Sequence, residues 1–260
     1  MSGAGHRGAP MTALASQRAA EIEIMDSGGY GPEEISGNLA DLRFYNTWFG
    51  GTRAIVRGVR RVAAAAGAQR RLTILDVATG TADIPLALAR WGTRRGVEVF
   101  VEGLDSNADM LHEAIRHGAE GAGAAQPSLV QADATRLPHA DRSVDVVVCS
   151  NFLHHLTAQE ARLVLAEMRR VCRLGVVAVD LVRSREALLT IWVLTRLTTA
   201  NRLTRNDGPL SVRRAFTPSE LSDLAEEAGL AGAVARASGP VRMSLTWRRA
   251  TSLSSSAPPG

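Results

Sequence analysis

The stretch ILDVATGTADIP, residues 74–85, reads as a buried strand that passes through a tight turn into a helix. Such a turn presents the start of a helix to a small polar ligand. A turn that holds pyrophosphate carries the spacing G-x-G-x-x-G, so that backbone can lie close to the phosphates. Here the turn is Ala78, Thr79, Gly80, Thr81 and Ala82, with Gly80 as its one clear turn glycine and an acid, Asp76, before it. An acid at that place points toward an ammonium group rather than toward phosphate. Asp83 is the expected N-cap of the helix, with Pro85 near its first turn.

Strand and helix alternate on the C-terminal side of this unit. VEVFVEGLD (97–105) reads as a second strand, NADMLHEAIRHG (107–118) as a helix, SLVQAD (128–133) as a third strand and SVDVVVCS (143–150) as a fourth. Residues 118–125 read as a Gly/Ala-rich loop. Thr157 and Glu160 predict a capping box for a helix that ends near Cys172, and GVVAVDLV (175–182) is a fifth strand. Apolar runs such as VDVVVC suit strands buried on both faces. The alternation predicts an α/β fold with a mostly parallel sheet and helices on both faces. AVARAS (233–238) and VRMSLTWRR (241–249) flank a Gly-Pro pair and predict an antiparallel edge hairpin, which makes seven strands. Residues 33–66 predict an N-terminal helical lead-in broken at Gly50 and Gly51; residues 1–20 and 250–260 read as flexible tails. Residues 186–203 predict an apolar helix, 204–216 a polar loop, and Thr217 to Glu220 a second capping box.

Ligands of open parallel sheets bind beyond the carboxyl ends of the strands, where strand order reverses. Those ends hold Asp76 to Thr81, then Asp105 with Ser106 and Met110, then Asp133 with Ala134, then Ser150 with Asn151. Asp105 is placed to pair with ribose hydroxyls, and Asp133 with an adenine amino group, Ala134 offering its backbone N–H. An amine, a ribose and an adenine held by acids, with no phosphate, describe S-adenosylmethionine. The amides near Gly80 offer a place for its carboxylate.

LDVATGTADIP, GLDSNADML and QADATRLPHADRSVDVVVCSNFLHHL, in this order, resemble the core motifs of class I S-adenosylmethionine-dependent methyltransferases over residues 72–156. The resemblance implies a Rossmann-like methyltransferase domain over 70–249, with 182–216 as an acceptor-side insertion. Ala78 and Ala82 stand where that family usually has glycine; the methyl of Ala82 is tolerable where its φ is negative. LADLRFYNTWFGGTRAI (39–55) is similar to the cofactor-covering helices of the ubiquinone and menaquinone methyltransferase group. RNDGPLSVRRAFTPSELSDLAEEAGL (205–230) resembles small-molecule O-methyltransferases acting on hydroxylated aromatic or polyketide-type compounds.

These resemblances imply methyl transfer to a hydrophobic aromatic, polyketide-type or quinone-like small molecule, with oxygen as the acceptor atom ahead of a ring carbon. A phenol acceptor needs a base, and histidine is the side chain suited to that near neutrality. His154 and His155 follow the fourth strand, His154 ranking first as base. Asp180 ends the fifth strand and is either a base or an ion-pair partner of Arg183 or Arg185, the pair being favoured. Tyr45 and Asn46 are a candidate lid over the cofactor, Trp192 with the apolar run around it a candidate acceptor wall, and Arg213 and Arg214 a candidate clamp for an anionic acceptor. No Cys/His cluster has ligand spacing, so no metal is expected.

Composition narrows the alternatives. The net charge of +4 comes from arginine alone, in pairs scattered among acids, with no basic block interleaved with aromatics. That pattern argues against nucleic acid as a partner and against RNA methylation. No apolar run reaches the length of a membrane span, and the N-terminus lacks a signal-peptide core, so no stable membrane insertion and a cytoplasmic location are expected. Cys149 and Cys172 sit in apolar contexts as reduced core thiols. A cofactor-binding protein without catalysis is a further reading.

Overall fold

The computed structural model describes residues 17–65, 70–120 and 127–250. Its strands are β1 (Arg71–Val77), β2 (Glu98–Asp105), β3 (Ser128–Gln131), β4 (Val144–Ser150), β5 (Cys172–Leu181), β6 (Arg236–Ala237) and β7 (Arg242–Arg248). Its helices are α1 (Ile24–Ser27), α2 (Pro32–Trp48), α3 (Gly51–Ala65), α4 (Asp83–Arg95), α5 (Ala108–Glu120), α6 (Ala158–Val171), α7 (Arg185–Thr198), α8 (Arg202–Arg214) and α9 (Pro218–Glu227). The strands make one sheet of order β3-β2-β1-β4-β5-β7-β6. β1 to β5 pair in parallel, and β7 pairs antiparallel with β5 and with β6. β1 lies between β2 and β4, so strand order reverses at its carboxyl end, where Asp76 lies level with Gly103 and Val148.

Side chains of a strand alternate between faces, and here both faces are buried. Val146 and Val148 of β4 join Ile55, Val59 and Val62 of α3 and Leu88 of α4 on one face. Val147 and Cys149 join Val164, Leu165 and Met168 of α6 and Leu221 of α9 on the other. Both capping boxes form, at Thr157 with Glu160 and at Thr217 with Glu220. Cys149 and Cys172 are free and buried. Among the described residues, no helix is long and apolar enough to cross a membrane.

The structure departs from the sequence reading in several places. Residues 204–214, expected as loop, belong to α8. The Asn201 side chain caps it by accepting from the N–H groups of Leu203 and Thr204, and Leu203, Leu210 and Val212 are buried along it. α7 stops at Thr198 instead of running on to residue 203, because that cap starts a new helix. Asp83 is the first residue of α4 rather than its N-cap; Ala82 takes the cap position with φ +59°, not the negative value expected. α5 extends to Glu120, while residues 121–125 of the expected loop lie outside the described residues. Most of both expected tails, 1–16 and 251–260, also lies outside them. Residues 17–20 are described, and Arg18 lies over the Phe216 ring at 3.7 Å and donates to the Arg214 carbonyl.

Gly58 lets α3 lie directly on β5. A Cβ built there would stand 2.5 Å from Cγ1 of the fully buried Val177. The variant Gly58→Ala is expected to lower the unfolding free energy by about 1–3 kcal/mol through overpacking. Urea denaturation of the two proteins checks this; equal midpoints would contradict it.

Candidate active site

A cavity of about 740 Å³ opens above the carboxyl ends of β1, β2 and β4. Its floor is the turn after β1. Asp76 is fully buried; its Oδ2 accepts from the Thr79 hydroxyl at 2.8 Å, while its Oδ1 is buried without a hydrogen-bond partner. Burial pushes the Asp76 carboxyl up to about 8 against the Thr79 hydrogen bond, and Asp105 and Asp83 push it the same way. Asp105 accepts from the Gly80 amide at 2.9 Å and from the Asn107 amide at 2.9 Å. The Gly80 amide, expected to receive a ligand carboxylate, is thus already taken. The start of α4 carries its own acid, Asp83, which accepts from the Thr81 hydroxyl. Ala78 (φ +55°), Ala82 and Asn151 (φ +51°) are three of the four non-glycine residues with positive φ among those described. All three belong to the turns that shape this cavity, after β1 and after β4.

The opposite wall is built from parts of the chain remote in sequence. After β4 the chain makes a single 3-10 turn, Leu153–His155. His154 is buried, and its Nδ1 lies 2.6 Å from Asp180 Oδ1 at the end of β5. Asp180 also accepts from the His154 backbone N–H at 3.1 Å. Burial alone would raise the Asp180 carboxyl, but the charge and hydrogen bond of His154 hold it below the usual carboxylate range. Asp180 thus binds both the backbone N–H and Nδ1 of His154, and the other ring nitrogen, Nε2, lies 3.8 Å from Glu23 Oε1. The ion pair expected between Asp180 and Arg183 is absent: Arg183 is bound to Glu220. The His155 ring lies beside that of His154, with centroids 4.2 Å apart, and its Nδ1 is 2.8 Å from Asp26 Oδ2. Against the opposing effect of burial, the Asp26 hydrogen bond and the charges of Glu23, Asp26 and Asp180 raise the His155 imidazole.

Glu23 and Asp26 were missed in the sequence reading. They belong to the N-terminal segment, which is seated on α8. Asp207 of α8 accepts from the amides of Ile24 and Met25, both at 3.0 Å. Ser211 of α8 donates to Glu23 at 2.8 Å. Glu23, His154 and His155 bring three donor atoms within 4.8 Å of one another, a grouping able to hold a metal ion. The expectation of no metal rested on local Cys/His spacing, and this grouping joins residues distant in sequence.

The cavity gathers most of the residues expected at the site: Asp76, Ala78, Thr79, Gly80 and Thr81 of the turn, Asp105, Ser106 and Met110 beyond β2, Ser150 and Asn151 beyond β4, and His154, His155 and Tyr45. Asp180 reaches it through His154. Asp133 and Ala134 do not line it; Asp133 is exposed and accepts from the Thr135 amide and hydroxyl. Trp192 lies half-exposed on the outer side of α7, while Ile191 of the same helix faces the cavity. Arg213 pairs with Glu21, and Arg214 donates to the carbonyls of His154 and His155, so Arg214 buttresses the histidine turn from outside. Asn46, expected beside Tyr45, lines the cavity as well, and so does Arg242, which had no sequence signal beyond its place on the edge hairpin.

Residues 74–175 match the family model described as a methyltransferase domain. A demethylmenaquinone methyltransferase of Deinococcus radiodurans is 39% identical over 126 residues, 46% of this chain and 46% of that protein. A demethylmenaquinone methyltransferase of Roseiflexus castenholzii is 29% identical over 167 residues, 60% of this chain and 66% of its own length. The chain thus spans about half to two thirds of the curated relatives it matches. Among solved structures, magnesium protoporphyrin IX methyltransferase from Synechocystis with bound S-adenosylhomocysteine superposes with TM-score 0.53 at 19% identity, covering 77% of this chain and 84% of that one. A methyltransferase dependent on S-adenosylmethionine from Aquifex aeolicus gives TM-score 0.51 at 17% identity, covering 73% and 88%. These two likenesses show the fold.

The raised Asp76 carboxyl has a consequence for stability. Folded Asp76 keeps its proton up to about pH 8, whereas the unfolded chain releases it near pH ~3.9. Between those values the native state binds more protons than the unfolded state, so this group makes stability fall as pH rises. Urea denaturation of wild type and Asp76→Asn between about pH 5 and 8 is expected to show the variant gaining on wild type, by up to about 1.4 kcal/mol per pH unit. Parallel curves would contradict the assignment.

Proposed function

Taking residues 74–175 as a class I S-adenosylmethionine-dependent methyltransferase domain, we propose that this chain methylates an oxygen of an apolar aromatic, polyketide-type or quinone-like small molecule, with His154 as the base. The observation that carries the reading is the buried pair of His154 and Asp180 in the cavity wall, which engages Nδ1 and leaves Nε2 for an acceptor.

The cofactor side fits the chemistry of the donor set. Asp76, with a buried oxygen that lacks a partner, would take the ammonium group. Asp105, fixed by two backbone amides, would take ribose hydroxyls, with Ser106 and Met110 beside it. Acids around the cavity do not oppose a sulfonium. When bound, S-adenosylmethionine supplies a methyl group activated by its positive sulfur.

The acceptor side is apolar above the histidines. Leu39 and Phe49 of α2, Phe152 after β4, Leu181 and Ile191 line it, which suits an aromatic ring or alkyl chain. His154 Nε2 takes the proton of the acceptor hydroxyl. Asp180 holds the Nδ1 proton and stabilises the imidazolium that results. Glu23, close to the same Nε2, favours that cation. Holding acceptor oxygen and methyl group in line is the larger part of the acceleration such a site offers. A second reading, methylation of a ring carbon of a quinone precursor, is favoured by the names of the two curated relatives.

The test is methyl transfer from isotope-labelled S-adenosylmethionine to a panel of phenols and quinols, followed by mass spectrometry. His154→Asn and Asp180→Asn are expected to lower kcat by about 10²–10⁴-fold while S-adenosylhomocysteine affinity stays within a factor of about two. Methylation of none of the panel, or unchanged kcat in both variants, would remove the proposal.

A further inference from the structure

Arg242 begins β7, and its guanidinium is buried in the cavity wall. Nη1 donates to Asn151 Oδ1 at 2.6 Å and Nη2 to Asn46 Oδ1 at 2.9 Å. Nε is buried with no partner. Both acceptors are neutral amides. Among the described residues no carboxylate pairs with this cation; Asp180 acts on it through space but is committed to His154. Burial brings Arg242 down to about 10, with Asp180 opposing the shift. Gly51 at the start of α3 makes room for the group, since a Cβ there would stand 3.0 Å from the guanidinium carbon. A buried charge without a counter-ion is costly, and this one is held in place by two amides and a glycine.

The same cavity is lined by acids: Glu23, Asp26, Asp76, Asp83, Asp105 and Asp207. Arg242 is the one arginine among its described lining residues. The helix start where a ligand carboxylate was expected is filled by Asp83, and the Gly80 amide by Asp105. An anionic group entering this cavity has one arginine to meet among the described lining residues.

We propose that Arg242, oriented by Asn46 and Asn151, is the carboxylate-receiving site of the cavity. The carboxylate comes either from the methionine end of the cofactor or from an acidic group on the methyl acceptor. Both sources rest on the methyltransferase reading; the placing of a carboxylate at Arg242 rests on the cavity alone. A guanidinium–carboxylate contact in a desolvated setting is charge-assisted, and its loss corresponds to roughly ten- to a hundredfold in affinity.

The experiment is titration calorimetry of wild type and Arg242→Gln with two pairs of probes. One pair is S-adenosylmethionine and its decarboxylated form. The other is 4-hydroxybenzoate and its methyl ester, titrated into protein saturated with S-adenosylhomocysteine. A tenfold or greater loss for S-adenosylmethionine alone assigns the site to the cofactor. A loss of that size for 4-hydroxybenzoate alone assigns it to the acceptor. In either case the carboxylate-free partner binds both proteins equally, which shows that the variant is folded. The proposal is overturned if wild type binds the two members of each pair equally, or if the variant binds both members of each pair as wild type does or weakens both alike. A wild-type protein that binds neither adenosyl compound contradicts the methyltransferase reading, and the hydroxybenzoate pair, titrated into the protein alone, then decides on Arg242.

Discussion

The buried carboxyl of Asp76, with one oxygen satisfied by Thr79 and the other by nothing in the protein, is the constraint from which the rest of the site follows. A carboxyl in that position costs stability unless something positive or hydrogen-donating completes it. The sheet puts it there: β1 is the strand at which order reverses, and its carboxyl end is open above. Asp83 and Asp105 stand close enough to push its proton affinity upward. A carboxyl of this kind is suited to a ligand that brings positive charge. The backbone is strained at the same place, since Ala78 and Ala82 hold left-handed conformations that cost roughly 1–2 kcal/mol each relative to glycine. Strain kept at a turn that shapes a ligand cavity fits the general pattern of functional sites.

The second half of the site is a meeting of four remote segments. Asp180 ends β5, His154 follows β4, Glu23 and Asp26 arrive from the N-terminus, and α8 holds that segment in place through Asp207 and Ser211. Arg18 and Arg214 close the arrangement by donating to the carbonyls of the histidine turn. Each member of this group touches another, so this wall is built as one bonded unit, while the opposite wall is built from the ends of β1 and β2. Arg242 stands in the same wall with neutral partners, which sets it apart from the acids around it.

The sheet was legible because its strands are short continuous apolar runs separated by capped helices, a pattern set by neighbours in sequence. The acids of the β1 and β2 ends were legible for the same reason, since strand ends can be placed from the run that precedes them. α8 was not, because Gly208, Pro209 and a dense set of polar residues hide its apolar side; the cap at Asn201 with Leu203, Leu210 and Val212 was the signal that could have found it. Glu23, Asp26 and the pairing of Asp180 with His154 rather than Arg183 depend on contacts between residues far apart in the chain, and no local pattern announces them. Trp192 illustrates the opposite error: an aromatic in an apolar helix suggests a pocket wall, yet helical phase turns Ile191 inward and leaves Trp192 outside.

The most direct measurement is the equilibrium affinity of the wild-type protein for S-adenosylhomocysteine as a function of pH. Asp76 must give up its proton to face an ammonium group, and it holds that proton up to about pH 8 in the ligand-free protein. One molecule bound per chain, with affinity rising from about pH 6 to about pH 7.5, is the predicted result. Failure to bind, or an affinity indifferent to pH across that range, would contradict the account.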